Sequence, residues 1–182
     1  MSDSSADTVI QVLIPSPIGS LGVSFKGQVV THLEIAPRGG RHQLFTPFSE
    51  FGRSGFVEDS VGALSEYFAG ARREVGLKFS LDEQPLDSFA RRVYREVCKI
   101  RYGDKKTYQQ IARRAGRDDA YRLVLSILVQ NPIPLLVPCH RVVTNKGGVG
   151  SYVGGGQRKD WLLKMERAAA PSLALTRDAD LS

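Results

Sequence analysis

"TYQQIARRAGRDDAYRLVLSILVQNPIPLLVPCHRVV", residues 107–143, sets out two helices and, behind them, a cysteine beside a histidine. Thr107 is suited to cap Tyr-Gln-Gln-Ile-Ala-Arg-Arg, and Gly116 supplies the left-handed conformation on which such a helix ends. Asp118 or Asp119 can cap the next helix, over residues 120–130, which must stop before Pro132. Two helices joined through a glycine-containing turn predict a helix-turn-helix whose second helix reads DNA. The apolar run 133–137 reads as a strand that carries Pro138, Cys139 and His140 at its end.

A nucleophilic cysteine needs a base, because the thiolate is the reactive form and an ordinary thiol, with a pKa of about 8.5, is mostly protonated at neutral pH. His140 supplies that base, directly or through one water. Neighbouring residues of an extended segment point to opposite faces, so a bridging water is the easier route. The base in turn needs a group that orients it and stabilises its cation. Downstream, only Asp160 and Glu166 precede the C-terminal stretch, and Glu166 sits beside the apolar Met165 late in the last helix. Cys98, inside a helix, reads as a small buried hydrophobe.

Working outward, "SFARRVYREVCKI" (88–100) places Phe89, Val93, Val97 and Ile100 on one helical stripe and opens a second unit after the connector "LDEQPLD". Ahead of it, "VIQVLIPSPIGSLGVSFKGQVVTHLEIAP" gives three short β-rich runs linked as hairpins. "RGGRHQLFTPFSEFGRSG" is loop-like, and "VEDSVGALSEYFAG" is a helix with Val61, Leu64, Tyr67 and Phe68 inward and Gly70 as its C-cap. Beyond the Cys-His pair, six of the chain's 18 glycines fall within residues 147–156, which makes a loop. That loop has neither a Gly-Lys-Ser/Thr ending nor a dinucleotide-binding pattern, so no nucleotide cofactor is expected. "RKDWLLKMERA" closes the fold as a helix with Trp161, Leu162 and Met165 inward. The fold class is α+β: an N-terminal domain (1–84) with an antiparallel sheet and a helix, then a mostly helical domain (85–168) carrying the helix-turn-helix and the cysteine. Residues 169–182 read as a flexible tail.

No stretch reaches the roughly 18 consecutive apolar residues of a membrane span, and the start has neither a basic region nor an apolar core of a leader, so an intracellular protein without a membrane partner is expected. Two cysteines are too few for a disulfide framework. His32, His42 and His140 are too scattered to suggest a metal site. Between residues 91 and 122 eleven basic side chains face four acidic ones, more than the whole chain's formal surplus of +6. Such a concentration suits a surface that meets phosphates.

"NPIPLLVPCHRVV" followed by "GGVGSYVGGGQRKDWLLKME" resembles the O6-alkylguanine-DNA alkyltransferases, also called methylated-DNA-protein-cysteine methyltransferases. Pro-Cys-His-Arg-Val is the specific core of the likeness, which runs from about Phe89 to Glu166; "SPIGSLGV" and "LSEYFAG" are similar to the family's small leading domain. The resemblance implies direct DNA repair: one irreversible transfer of an alkyl group from O6-alkylguanine, and secondarily O4-alkylthymine, in double-stranded DNA to a cysteine, on a base flipped out of the duplex. It implies a monomer, and neither cofactor nor metal. By position, Cys139 would be the acceptor, His140 would take its proton through a water, and Glu166 would orient His140. Asn131 would brace the turn near the thiol, and Tyr108 would promote flipping and assist proton delivery to guanine N3. Arg122 would fill the vacated space in the stack, with Tyr108, Thr107 and Arg141 also on DNA. Tyr152 and Val153 would wall the pocket, the carbonyls of Cys139 and Val142 would accept from the guanine amine, and Lys159 would tie down the glycine-rich loop.

The second helix departs from the family, whose Arg-Ala-Val-Gly is here "YRLVLSI": Tyr121, Leu123 and Leu125 stand where small residues are usual, and Ser151 stands where glycine is common. Bulk there leaves open weaker DNA binding, a shifted helix or a different lesion preference, since apolar wedges can also pry base steps apart. The alternative function is a non-catalytic binder of alkyl lesions of the alkyltransferase-like type, although those proteins replace the reactive cysteine. A multiple-turnover cysteine hydrolase would need an oxyanion hole, for which the sequence has no signature.

Overall fold

The computed structural model describes residues 9–36, 45–50 and 55–179, with side chains to residue 170. Strands β1 (Val9–Ile14), β2 (Leu21–Lys26) and β3 (Val29–Ile35) form the expected antiparallel hairpins, and the short β4 (Thr46–Pro47) adds to β1 in parallel, giving the order β3-β2-β1-β4. β2 lies second in the sheet, with Leu21, Val23 and Phe25 buried. Helix α1 (Gly55–Phe68) packs on this sheet, Phe56 meeting Phe25 edge-on at 5.4 Å. Gly70, at φ +72°, ends it as read from the sequence. Much of the loop-like stretch, His42 included, lies outside the described residues.

Helix α2 (Ser88–Cys98) is capped by Asp87, whose carboxylate accepts from the Ala90 amide at 2.7 Å, and its stripe of Phe89, Val93 and Val97 is buried together with Ile100. Strand β5 (Lys106–Thr107) then leads into α3 (Tyr108–Arg114), which Thr107 and Gln110 begin with a reciprocal capping box. Gly116 (φ +86°) turns the chain into α4 (Tyr121–Val129). Neither Asp118 nor Asp119 caps α4. Its N-cap is Ala120, without a side-chain bond, while the Asp118 carboxylate pairs with Arg113 at 3.3 Å and its carbonyl accepts from Gln109.

Residues 133–137 are a tight turn and not a strand, with Pro134 bridged to Val137 and Leu135 at φ +75°. Prolines at 132, 134 and 138 remove the amides a ladder would use. Cys139–Arg141 form one 3-10 turn, after which β6 (Val142–Val143) pairs in parallel with β5. That pairing sets the first residue of α3 next to the Cys-His turn. Helix α5 (Gly156–Ala179) extends into the stretch read as a tail, and Ala169 and Ala170 pack against Gly70 and Gly103. Leu162 is fully buried on it, whereas Trp161, read as inward, is 37% exposed and leans on Phe68. No helix among the described residues is long and apolar enough to cross a membrane.

The sheet is tied to the later part of the chain. The Leu33 amide of β3 donates to the Pro132 carbonyl at 2.8 Å, and Arg158 of α5 reaches the Ala36 carbonyl.

Candidate active site

Asn131 organises the turn that holds the thiol. Its side-chain nitrogen donates to the Val137 carbonyl at 2.9 Å and to Cys139 Sγ at 3.1 Å, while its oxygen accepts from the Ile133 amide at 3.0 Å. Cys139 is 2% exposed. Burial pushes its thiol up to about 11, against opposing pulls from the Asn131 hydrogen bond and Lys159, so the resting sulfur is protonated.

His140 is fully buried, and its Nε2 lies 2.8 Å from Glu166 Oε1. Burial lowers its pKa despite the carboxylate, so the resting ring is neutral. Glu166, 1% exposed, accepts from Arg141 Nε and Nη2, from the Tyr67 hydroxyl at 2.7 Å and from the Gly103 amide at 3.1 Å. Burial opposes its charge, but the hydrogen bonds and charges of His140 and Arg141 outweigh that and pull it down to about 2. An ionised Glu166 holds the proton of His140 on Nε2. Nδ1 is left as the basic nitrogen, buried and without a protein partner.

Lys159, also fully buried, donates to the Val142 carbonyl at 2.6 Å, the Ser151 carbonyl at 3.0 Å and Tyr108 Oη at 3.2 Å. Burial depresses its ammonium to about 8. It thereby joins β6, the glycine-rich loop and the start of α3. Tyr152 stands edge-on to His140 with ring centroids 6.4 Å apart, and its buried hydroxyl has no partner. An open cleft of 510 Å³ is lined by Tyr108, Tyr121, Leu125, Thr144, Asn145 and Lys146. The Cys139 sulfur, expected at a pocket rim, is not in its wall. Among the described residues no group of three or more His, Cys, Asp or Glu side chains is placed to hold a metal ion.

A family model described as "6-O-methylguanine DNA methyltransferase, DNA binding domain" matches residues 88–168. A Methanosarcina barkeri methylated-DNA-protein-cysteine methyltransferase is 30% identical over 85% of this chain and 94% of its own length. Its Mycolicibacterium paratuberculosis counterpart is 34% identical over 87% and 93%. This chain belongs to the methylated-DNA-protein-cysteine methyltransferase family. The fold agrees: the crystal structure of Mycobacterium tuberculosis O6-methylguanine methyltransferase, 33% identical, superposes with a TM-score of 0.74 over 93% of this chain and 99% of that one. Mycobacterium tuberculosis OGT in complex with DNA, 34% identical, gives 0.73 over 87% and 93%.

Within this methyltransferase the structure gathers Cys139, His140, Glu166, Asn131, Tyr108, Lys159 and Tyr152 into one site. Other expected positions fall differently. Arg141 was read as a DNA contact, but it is 3% exposed and committed to Glu166 and the Ile100 carbonyl. The carbonyls expected to receive a guanine amine already accept bonds, Cys139 from the Val142 amide and Val142 from Lys159, which leaves each one further lone pair. Val153 is 38% exposed. Arg122 is exposed on α4 with its guanidinium 5.5 Å from the Tyr121 ring, and Thr107 is half-buried as the cap of α3. Cys98 is exposed at the end of α2 and is not a core hydrophobe. Sequence reasoning missed Tyr67, taken only as one of four inward residues of α1. An aromatic hydroxyl on an inward face was the available signal, since a buried Tyr O–H requires a partner.

Proposed function

We propose that this protein restores alkylated DNA by moving the alkyl group from O6-alkylguanine, and secondarily from O4-alkylthymine, to Cys139 Sγ, once per molecule and irreversibly. Its family membership makes it a DNA-repair methyltransferase; the lesion and the single turnover are the proposal. The observation that carries it is the buried Glu166–His140 pair, Oε1 to Nε2 at 2.8 Å with Nδ1 unpartnered, His140 lying in the same 3-10 turn as Cys139.

In this reading the resting thiol and imidazole are both neutral, and ionisation belongs to the reaction itself. The Cys139 proton passes through one water to Nδ1, the sulfur's electron pair forms the S–C bond, and the bond from that carbon to guanine O6 breaks. Glu166 and Arg141 surround the imidazolium that results. The departing base takes a proton at N3 from Tyr108, which recovers one from Lys159 across 3.2 Å. Lys159, depressed to about 8, gives up a proton readily. No net charge appears. Tyr108 Oη and Lys159 both hold the Ser151 carbonyl, which ties the glycine-rich loop to the start of α3. The exposed face of α4 would lie against the duplex, with Arg122 filling the vacated space and Tyr121 and Leu123, 40% and 41% exposed, beside it. The protein would act as a monomer.

The test is transfer of labelled methyl from O6-methylguanine DNA to protein. Wild type should take up one equivalent and stop. Cys139→Ser should leave the label on DNA; label on that variant, or continued turnover by the wild type, contradicts the assignment.

A further inference from the structure

We infer that Tyr67, on α1 of the N-terminal unit, is a positioning residue for alkyl transfer: its hydroxyl donates to the Glu166 oxygen that holds His140 and so sets how strongly that carboxylate draws a proton onto the ring. The inference rests on the reading of Cys139 as the acceptor. Tyr67 Oη lies 2.7 Å from Glu166 Oε1 and 3.4 Å from His140 Nε2, and Oε1 lies 2.8 Å from the same Nε2. Hydroxyl, carboxylate and imidazole thus meet at one point. Tyr67 is 1% exposed, so bulk water does not compete for that oxygen. Its ring is fixed edge-on between Tyr102, at 6.0 Å and 85°, and Phe68, at 5.5 Å and 67°.

Each hydrogen bond donated to a carboxylate spreads its charge and weakens its hold on any other proton. Oε1 shares its charge among Tyr67, His140 and Arg141, and Oε2 among Gly103 and Arg141. Without the hydroxyl, Glu166 would stabilise a protonated His140 more strongly, and the base would be spent before the thiol needs it. The polar groups facing His140 are Glu166 and Lys159 from α5, Arg141 and Cys139 from its own turn, Tyr152 from the loop and Tyr67 from α1. Tyr67→Phe alters only the last of these. Its effect on the pH dependence therefore has a fixed sign: the acid limb, below which a protonated His140 stops the reaction, moves to higher pH.

The experiment measures single-turnover rates with an O6-methylguanine duplex and with free O6-benzylguanine through the range where histidine titrates. Tyr67→Phe should bind unmodified duplex as wild type does, react about tenfold more slowly with both substrates near neutrality, and show the acid limb displaced upward. A 3-fluorotyrosine at position 67 keeps the ring and donates more strongly, so it should displace the limb downward. This second variant decides the matter if Tyr67→Phe does not fold. Wild-type rates and limbs in both variants would overturn the inference, as would an equal loss at every pH without displacement, which is the mark of packing alone. A wild-type protein that leaves Cys139 unalkylated in the same assay would instead overturn the functional reading.

Discussion

Glu166 and His140, buried to 1% and 0% exposure, depend on Arg141 to keep a carboxylate charged inside the fold. Removing one partner of such a pair strands the other, which typically costs about 3–5 kcal/mol. Glu166→Ala should lose stability of that order in urea unfolding; a loss of about 1 kcal/mol or less, the value of an exposed pair, would contradict the network. The sign with pH follows. Glu166 is held at about 2, below the roughly 4.3 of an unfolded chain, so its contribution is complete above the higher value and disappears as pH falls towards the lower. His140, with its pKa lowered by burial, pushes the same way, because below about 6.5 the unfolded chain takes the proton first. An acid titration of the unfolding midpoint should therefore decline steadily from mildly acidic pH. The two thiols differ in access: a bulky maleimide should modify the exposed Cys98 in the folded protein and spare Cys139. Modification of Cys139 first would show that the site stands open at rest.

At the scale of elements, α3 and α4 were legible because their signals are local. The Thr107 cap and the positive φ of Gly116 are both set within a few residues. Thr107→Ala should cost about 1 kcal/mol in thermal or denaturant unfolding, and no loss would mean that the box contributes nothing. The turn at 133–137 was misread because an apolar run looks the same in a strand and in a buried bend; only the three prolines argued otherwise, and nothing local in the sequence signals the positive φ of Leu135. The start of α4 was misread for a related reason, since Asp118 can serve a cap or an ion pair and Arg113 claims it. For function, Arg122→Ala should slow repair of duplex DNA by about tenfold or more while leaving the reaction with free O6-benzylguanine nearly unchanged. Equal losses on both substrates would exclude a role in the stack.

For the whole molecule, the order of hairpins and helices was legible from their periodicities, and the connector before α2 suggested where one unit would give way to another. The contacts between units were not. Tyr67 meets Glu166 across 99 residues and Arg141 meets it across 25, and no local pattern announces either pairing. Arg141, placed on DNA by the resemblance, lies buried against a carboxylate that no nearby stretch of sequence points to. The basic segment from 91 to 122 does keep exposed charges at Arg113, Arg114, Arg117 and Arg122. Affinity for DNA should therefore fall with salt, with a slope in log-log form of about −0.9 per phosphate contacted; a flat response would place DNA elsewhere. Intact-mass analysis after exposure to a duplex containing O6-methylguanine, followed by peptide mapping, tests the central proposition most directly. One added methyl per molecule, carried by the peptide containing Cys139 and never exceeded with excess DNA, is the predicted result. An unchanged mass, or a methyl on Cys98, would contradict it.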